Sequence, residues 1–150
     1  MFNSVLENMI HIAKSLENDM KCEGERAYPN ECCGILLGEI DENDHKRLRR
    51  IEPIINSRED SEQYHRFLIT PEDLLKSELK ARKLKLDVLG FYHSHPDCPA
   101  SPSEYDKEHA LPFYSYVITS VNEGVAADFT SWELREDREC FVSEKIVEEN

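Results

Sequence analysis

The apolar residues of this chain are gathered into short runs between charged or turn-forming stretches, and that pattern calls for a sheet. CCGILLGEI at 32–40 is too short for a core helix and suits a buried strand. After the turn DENDH, KRLRRIEPII at 46–55 predicts a second strand. Pro53 restricts it to an edge or an end, because proline cannot donate to a ladder. LDVLGFYH at 86–93, YVITSV at 116–121, AADFTSWELRE at 126–136 and ECFVSEKIV at 139–147 predict further strands, with RFLI at 66–69 a short one. Between them the polar stretch at 56–65 reads as a surface loop. Helical spacing occurs at the N-terminus, where Val5, Leu6, Met9, Ile12, Ala13 and Leu16 predict an amphipathic helix over 4–28. Gly24 could interrupt it, and Tyr28-Pro29-Asn30 ends it. A second helix starts at Thr70 as N-cap with Pro71 behind it and runs to about Leu84. The order predicts a mixed sheet with helices, an α/β or α+β sandwich, in one domain over 1–150.

Charge narrows the partners. The chain has 31 acidic and 18 basic side chains, a net charge of -13. Nucleic acid is an unsuitable partner, since phosphate binding needs a basic footprint. Two local basic clusters, Lys46-Arg47-Arg49-Arg50 and Lys76-Lys80-Arg82-Lys83-Lys85, read as solvated faces. No apolar run approaches the ~20 residues needed to span a bilayer, and the N-terminus lacks a signal-peptide core, so no membrane partner and a cytoplasmic location are expected. The five cysteines are odd in number and form no C-x-x-C, against a disulfide scaffold or a four-cysteine zinc site. Cys32 and Cys33 read as small buried hydrophobes, and Cys98 is the one beside other polar candidates.

Those candidates lie in GFYHSHPDCPASPSEYD, residues 90–106. Side chains two apart on a strand share a face, so His93 and His95 can aim two imidazoles at one point. Ser101-Pro102-Ser103-Glu104 has the form of a capping box, which would leave Ser103 and Asp106 on one helical face. Two histidines and a carboxylate are a ligand set for catalytic zinc with a fourth position for water. The plainer alternatives are that Ser103-x-x-Asp106 is itself the capping box and that the histidines bond to backbone. A zinc hydrolase also needs a general base outside the ligand set, commonly glutamate. No HExxH occurs, and Glu31, just before the strand at 32–40, is either that base or a solvated carboxylate.

PNECCGILLG, then GFYHSHP about sixty residues later, then SEYD after a six-residue gap resemble the JAMM (MPN-plus, Mov34/PAD-type) zinc metalloproteases, in their small prokaryotic stand-alone form. The resemblance covers nearly the whole chain. It implies that His93, His95 and Asp106 are zinc ligands, Glu31 the general base, and Ser103 a support for the catalytic water or the oxyanion. It implies a cytidine-deaminase-like α/β/α sandwich around a curved mixed sheet. It also implies cleavage after the C-terminal glycines of a ubiquitin-like protein or a ubiquitin-fold sulfur carrier. One departure stands out. Only KEHALPFYS separates Asp106 from the strand at 116, so there is no room for the insertion that holds distal ubiquitin and a second zinc in some relatives.

Other chemistries fit less well. A zinc nucleoside deaminase needs H-x-E and P-C-x-x-C, neither of which occurs. A cysteine hydrolase would use Cys98 with His93 or His95. A catalytically silent binding module of the same fold is the alternative from another class. His109 reads as structural or surface, and Trp132, Phe113, Tyr114 and Tyr116 as core rather than substrate platform.

Overall fold

The computed structural model describes residues 8–54 and 69–149. In chain order these form β1 (Met9–Ala13), α1 (Lys14–Ala27), β2 (Cys33–Ile40), β3 (Lys46–Ile54), α2 (Pro71–Leu84), β4 (Asp87–Pro96), α3 (Glu104–His109), β5 (Ser115–Asn122), β6 (Val125–Leu134) and β7 (Phe141–Glu149). The loop expected at 56–65 and most of RFLI lie outside the described residues, and Ile69 is not in a strand.

The strands lie in the order β1-β3-β2-β4-β5-β6-β7. β4 runs parallel to β5 and antiparallel to β2. β1 is parallel to both β3 and β7 and so closes the sheet on itself. This corrects the N-terminal helix. Residues 9–13 are a strand, with Ile10 and Ile12 alternating into the core at 0 % and 1 % exposure. Apolar residues at 9, 10, 12 and 13 suit either period, and pairing with β7 decides it. Residues 4–7 lie outside the described set. In β3, Pro53 opposes Gly34, while β1 pairs only with Lys46 and Arg47, so among the described residues no strand pairs with the proline's other side, in keeping with the edge expected there.

Two apolar clusters form. One joins Ile10, Ile12, Leu36, Leu48, Leu89 and Tyr92 to Met20 of α1. The other joins Ile35, Leu37, Val88, Phe91 and Tyr116 to Ala81 of α2. The result is a mixed α/β fold with β4 buried through both clusters. Gly24 does not interrupt α1; a Cβ there would stand 3.0 Å from Val121 and 3.3 Å from Ser94, so the missing side chain lets α1 approach the strands beside the histidines. Gly34 similarly leaves room for the Tyr92 ring, whose hydroxyl donates to Glu23 of α1 at 2.9 Å. α2 is capped as expected, with Thr70 and Asp73 exchanging side-chain to backbone hydrogen bonds.

Two surface expectations fail. Lys46 is 5 % exposed, not part of a solvated face. Its ammonium donates to Phe113 O at 2.8 Å and Ser115 Oγ at 2.7 Å, and lies 3.3 Å from Glu133 and 3.9 Å from Glu144. Phe113 is not core: it is 68 % exposed, with φ 76°, a conformation rare for a bulky residue. Tyr116 is buried, whereas Tyr114 and Trp132 are half-buried.

Candidate metal centre

β4 carries eight consecutive buried residues, Val88 to His95, because it has a neighbour on each side and apolar clusters on both faces. Its last turn of alternation brings His93 and His95 to one face and Ser94 to the other. His93 is 1 % and His95 5 % exposed. Their Nε2 atoms face each other at 3.0 Å. Asp106 closes the set, with Oδ1 3.4 Å from His93 Nε2 and Oδ2 3.3 Å from His95 Nε2. One ligand atom from each of the three lies within 4.8 Å of the others.

Asp106 reaches this place through the helix start. The box does not form at Ser101; it forms two residues later, with Ser103 as N-cap and Asp106 as N3. Ser103 Oγ accepts from Asp106 N at 3.1 Å, and Asp106 Oδ2 accepts from Ser103 N at 2.9 Å. One carboxylate oxygen thereby both caps α3 and faces His95. The preceding backbone is held elsewhere, since Ala100 O accepts from Thr130 Oγ1 at 2.7 Å. The plainer reading of Ser103-x-x-Asp106 as a capping box and the metal reading therefore coexist in one geometry.

Glu31 is 8 % exposed, not a solvated carboxylate. It stands two residues before Cys33, which pairs with His93. Ser94 fixes this strand end. Its Oγ accepts from Cys32 N at 2.8 Å, and its N donates to Cys32 O at 3.1 Å. Sequence reasoning passed over Ser94, although a hydroxyl between two same-face histidines must point to the opposite side. Glu31 does not join the three-residue set of ligand atoms.

The electrostatics agree with a site built to keep Asp106 ionised. Burial alone would raise its pKa, but His93, His95 and the Ser103 N–H hold it far below the usual carboxylate range. Burial pulls His93 below its ordinary value and keeps it neutral. His95 is also desolvated, yet its bonds to Asp106 and Pro99 O, with the charges of Asp106 and Glu31, raise it. Pro99 O lies 2.8 Å from His95 Nδ1 and can only accept, so Nδ1 carries the proton and Nε2 faces the centre.

The donor set fits zinc. Bonds of about 2.0–2.1 Å in a tetrahedron separate ligand atoms by about 3.3 Å. Here the two Nε2 atoms stand 3.0 Å apart and each faces its own Asp106 oxygen, Oδ1 at 3.4 Å and Oδ2 at 3.3 Å, so one ligand atom from each residue can close on a single ion. Cys98 is a poor nucleophile by contrast. It is exposed, and partial burial with the charges of Glu31, Asp97 and Asp106 pushes its thiol up. His109 is exposed and bonds through Nδ1 to Tyr105 O at 2.9 Å within α3. Beside Asp106 opens a cavity of about 240 Å³, lined by Leu74, Phe91, Tyr105, Ala110 and Tyr116 among others.

Comparison with known proteins agrees on the family. The family model "Prokaryotic homologs of the JAB domain" matches residues 13–135. A protein named desampylase from Pyrococcus furiosus is 34 % identical over 118 residues, 79 % of this chain and 76 % of its own. A desampylase from Haloferax volcanii is 32 % identical over 110 residues, 72 % of this chain and 76 % of its own. A probable TtuB-protein conjugate cleaving protease from Thermus thermophilus is 28 % identical over 119 residues, covering 79 % and 74 %. Among solved structures, protein DSY2949 from Desulfitobacterium hafniense superposes with a TM-score of 0.81 at 30 % identity, over 95 % of this chain and 94 % of that one. The capped Ser103–Asp106 turn and the paired histidines thus stand within a matched length that spans most of the chain, which belongs to the prokaryotic homologs of the JAB domain.

Proposed function

We propose that the chain is one cytoplasmic metalloprotease domain, a zinc-dependent peptidase or isopeptidase that cuts after the C-terminal glycine of a ubiquitin-like or sulfur-carrier protein. The observation that carries this reading is the convergence of His93, His95 and Asp106, with buried Glu31 entering from the neighbouring strand end. The names of the desampylase and conjugate-cleaving relatives support the reaction class. Helices packed through separate clusters support reading the fold as a cytidine-deaminase-like α/β/α sandwich, here with β1 closing the sheet.

In this reading His93 Nε2, His95 Nε2 and an Asp106 oxygen hold the metal. Bound zinc would supply Lewis acidity at the scissile carbonyl and lower the pKa of water. Glu31 takes the proton from the attacking water and returns it to the departing nitrogen. Ser103 Oγ already accepts from Asp106 N, which leaves its own proton for the carbonyl oxygen as charge develops there. The cavity beside Asp106 offers an apolar berth to a side chain upstream of the scissile bond. Glycines fit where the backbone must approach the centre closely.

The test is mass spectrometry of products from a carrier ending in Gly-Gly plus a short extension. Trimming to Gly-Gly is expected, with sharply slower cutting when the last glycine is replaced by a bulky residue. Equal rates for Gly-Gly and Leu-Leu tails, or cleavage of di-ubiquitin alone, would contradict the carrier assignment.

A further inference from the structure

The segment between β4 and α3 is tied down at both ends by groups outside the metal set. At its start, Asp97 adopts φ 55° and binds three ways. Its Oδ2 accepts from Tyr28 Oη at 2.6 Å, its Oδ1 accepts from Glu123 N at 2.8 Å, and its own N donates to Val121 O at 2.8 Å. At its end, Ala100 O accepts from Thr130 Oγ1 at 2.7 Å and from Trp132 Nε1 at 3.3 Å. Trp132 Nε1 also donates to Thr130 Oγ1 at 2.9 Å, which orients that hydroxyl. Between the anchors lies Pro99, whose carbonyl accepts from His95 Nδ1.

We infer that Tyr28, Asp97, Thr130 and Trp132 are positioning residues, which clamp the 97–100 loop so that the Pro99 carbonyl fixes the tautomer and orientation of His95. Asp97, Cys98 and Pro99 are exposed, so packing alone does not hold this carbonyl. A ring aimed by a fixed acceptor on one nitrogen presents the other in a constant direction, and loss of such an outer partner typically weakens metal binding about 10–100-fold. The inference rests on the metal-centre reading for its effect on affinity, but the orientation of His95 can be tested without metal.

Two variants remove the anchors separately: Tyr28→Phe, and Thr130→Val with Trp132→Phe. Asp97→Gly removes the side chain from a conformation glycine adopts freely, and Asp97→Asn keeps groups able to bond both Tyr28 and Glu123 N. Zinc affinity, measured by competition with a chromophoric chelator, is expected to fall roughly 10-fold or more in the first three and to stay within about 2-fold in Asp97→Asn. The His95 Nδ1–H resonance, read by nitrogen-edited NMR in metal-free and zinc-loaded protein, is expected to exchange faster with water in those three. Lower melting temperature with unchanged affinity and an unchanged Nδ1–H signal would overturn the clamp and leave the loop a structural contact. If wild-type protein binds no zinc, the metal-centre reading fails, and the metal-free NMR comparison still decides whether the clamp orients His95.

Discussion

The chain buries ionisable groups at two ends of the same sheet, and the two groups differ in what neutralises them. At one end Lys46 stands among Glu133, Glu144, Ser115 and Phe113 O, with Glu144 Oε1 accepting from Ser131 Oγ at 2.6 Å. That cluster carries its own cation. At the other end Asp106 faces two imidazoles and, among the described residues, pairs with no lysine or arginine, and the ring nitrogens face each other as well as the carboxylate. A buried charge with a built-in partner is already neutralised within the fold, and removing either partner alone is costly. A carboxylate and two imidazole nitrogens converging on one point make a site for a cation from outside.

The largest effect that separates the two ends is catalytic. Glu31→Gln should lower turnover by roughly 10²-fold or more while zinc content stays at the wild-type level, because a general base is removed and no ligand is lost. Single-turnover assays on metal-quantified protein test it. Loss of zinc in this variant would make Glu31 a ligand and redraw the centre.

Lys46→Met attacks the opposite end. It strands buried Glu144 and half-buried Glu133 without their cation and should destabilise the fold by about 3–5 kcal/mol, with zinc affinity unchanged. Urea denaturation beside a zinc titration measures both. A changed zinc affinity with unchanged stability would erase the distinction between the ends.

A smaller, pH-dependent effect sharpens it. Burial pushes Glu144 up to about 7, with its hydrogen bond to Glu133 adding to this, while Lys46, Ser131 and Ser115 oppose it. Its folded pKa exceeds the ordinary carboxylate value near 4.5, so between these values the folded state holds more protons than the unfolded. This group's contribution is therefore most favourable below about 4.5 and is lost as pH rises to about 7. Glu144→Gln should flatten the decline between pH 5 and 8 by on the order of 1–3 kcal/mol, as followed by denaturation at each pH. An identical decline in both proteins would place the titration elsewhere.

The two ends also differed in how far the sequence disclosed them. His93 and His95 were legible because strand alternation is local, and Ser103 and Asp106 because N-cap spacing is local. The competing boxes at Ser101 and Ser103 overlap by two residues, and the backbone just before them is held by Thr130 and Trp132, far along the chain, through Ala100 O. Lys46 looked like one more surface cation among arginines, since its partners Ser115, Glu133 and Glu144 are brought to it only by sheet closure. The same closure turned residues 9–13 into a strand, through a pairing with β7 that no local window contains. The contacts behind the proposed clamp on His95 are equally non-local, because Tyr28 reaches Asp97, and Trp132 reaches Ala100, only in the folded chain.

The central claim is that His93, His95 and Asp106 form a metal centre, and elemental analysis tests it most directly. Purified wild-type protein, dialysed against trace-metal-free buffer, should retain one zinc per chain. His95→Ala, treated identically and shown folded by circular dichroism, should retain none. Equal zinc in the two proteins would contradict the assignment.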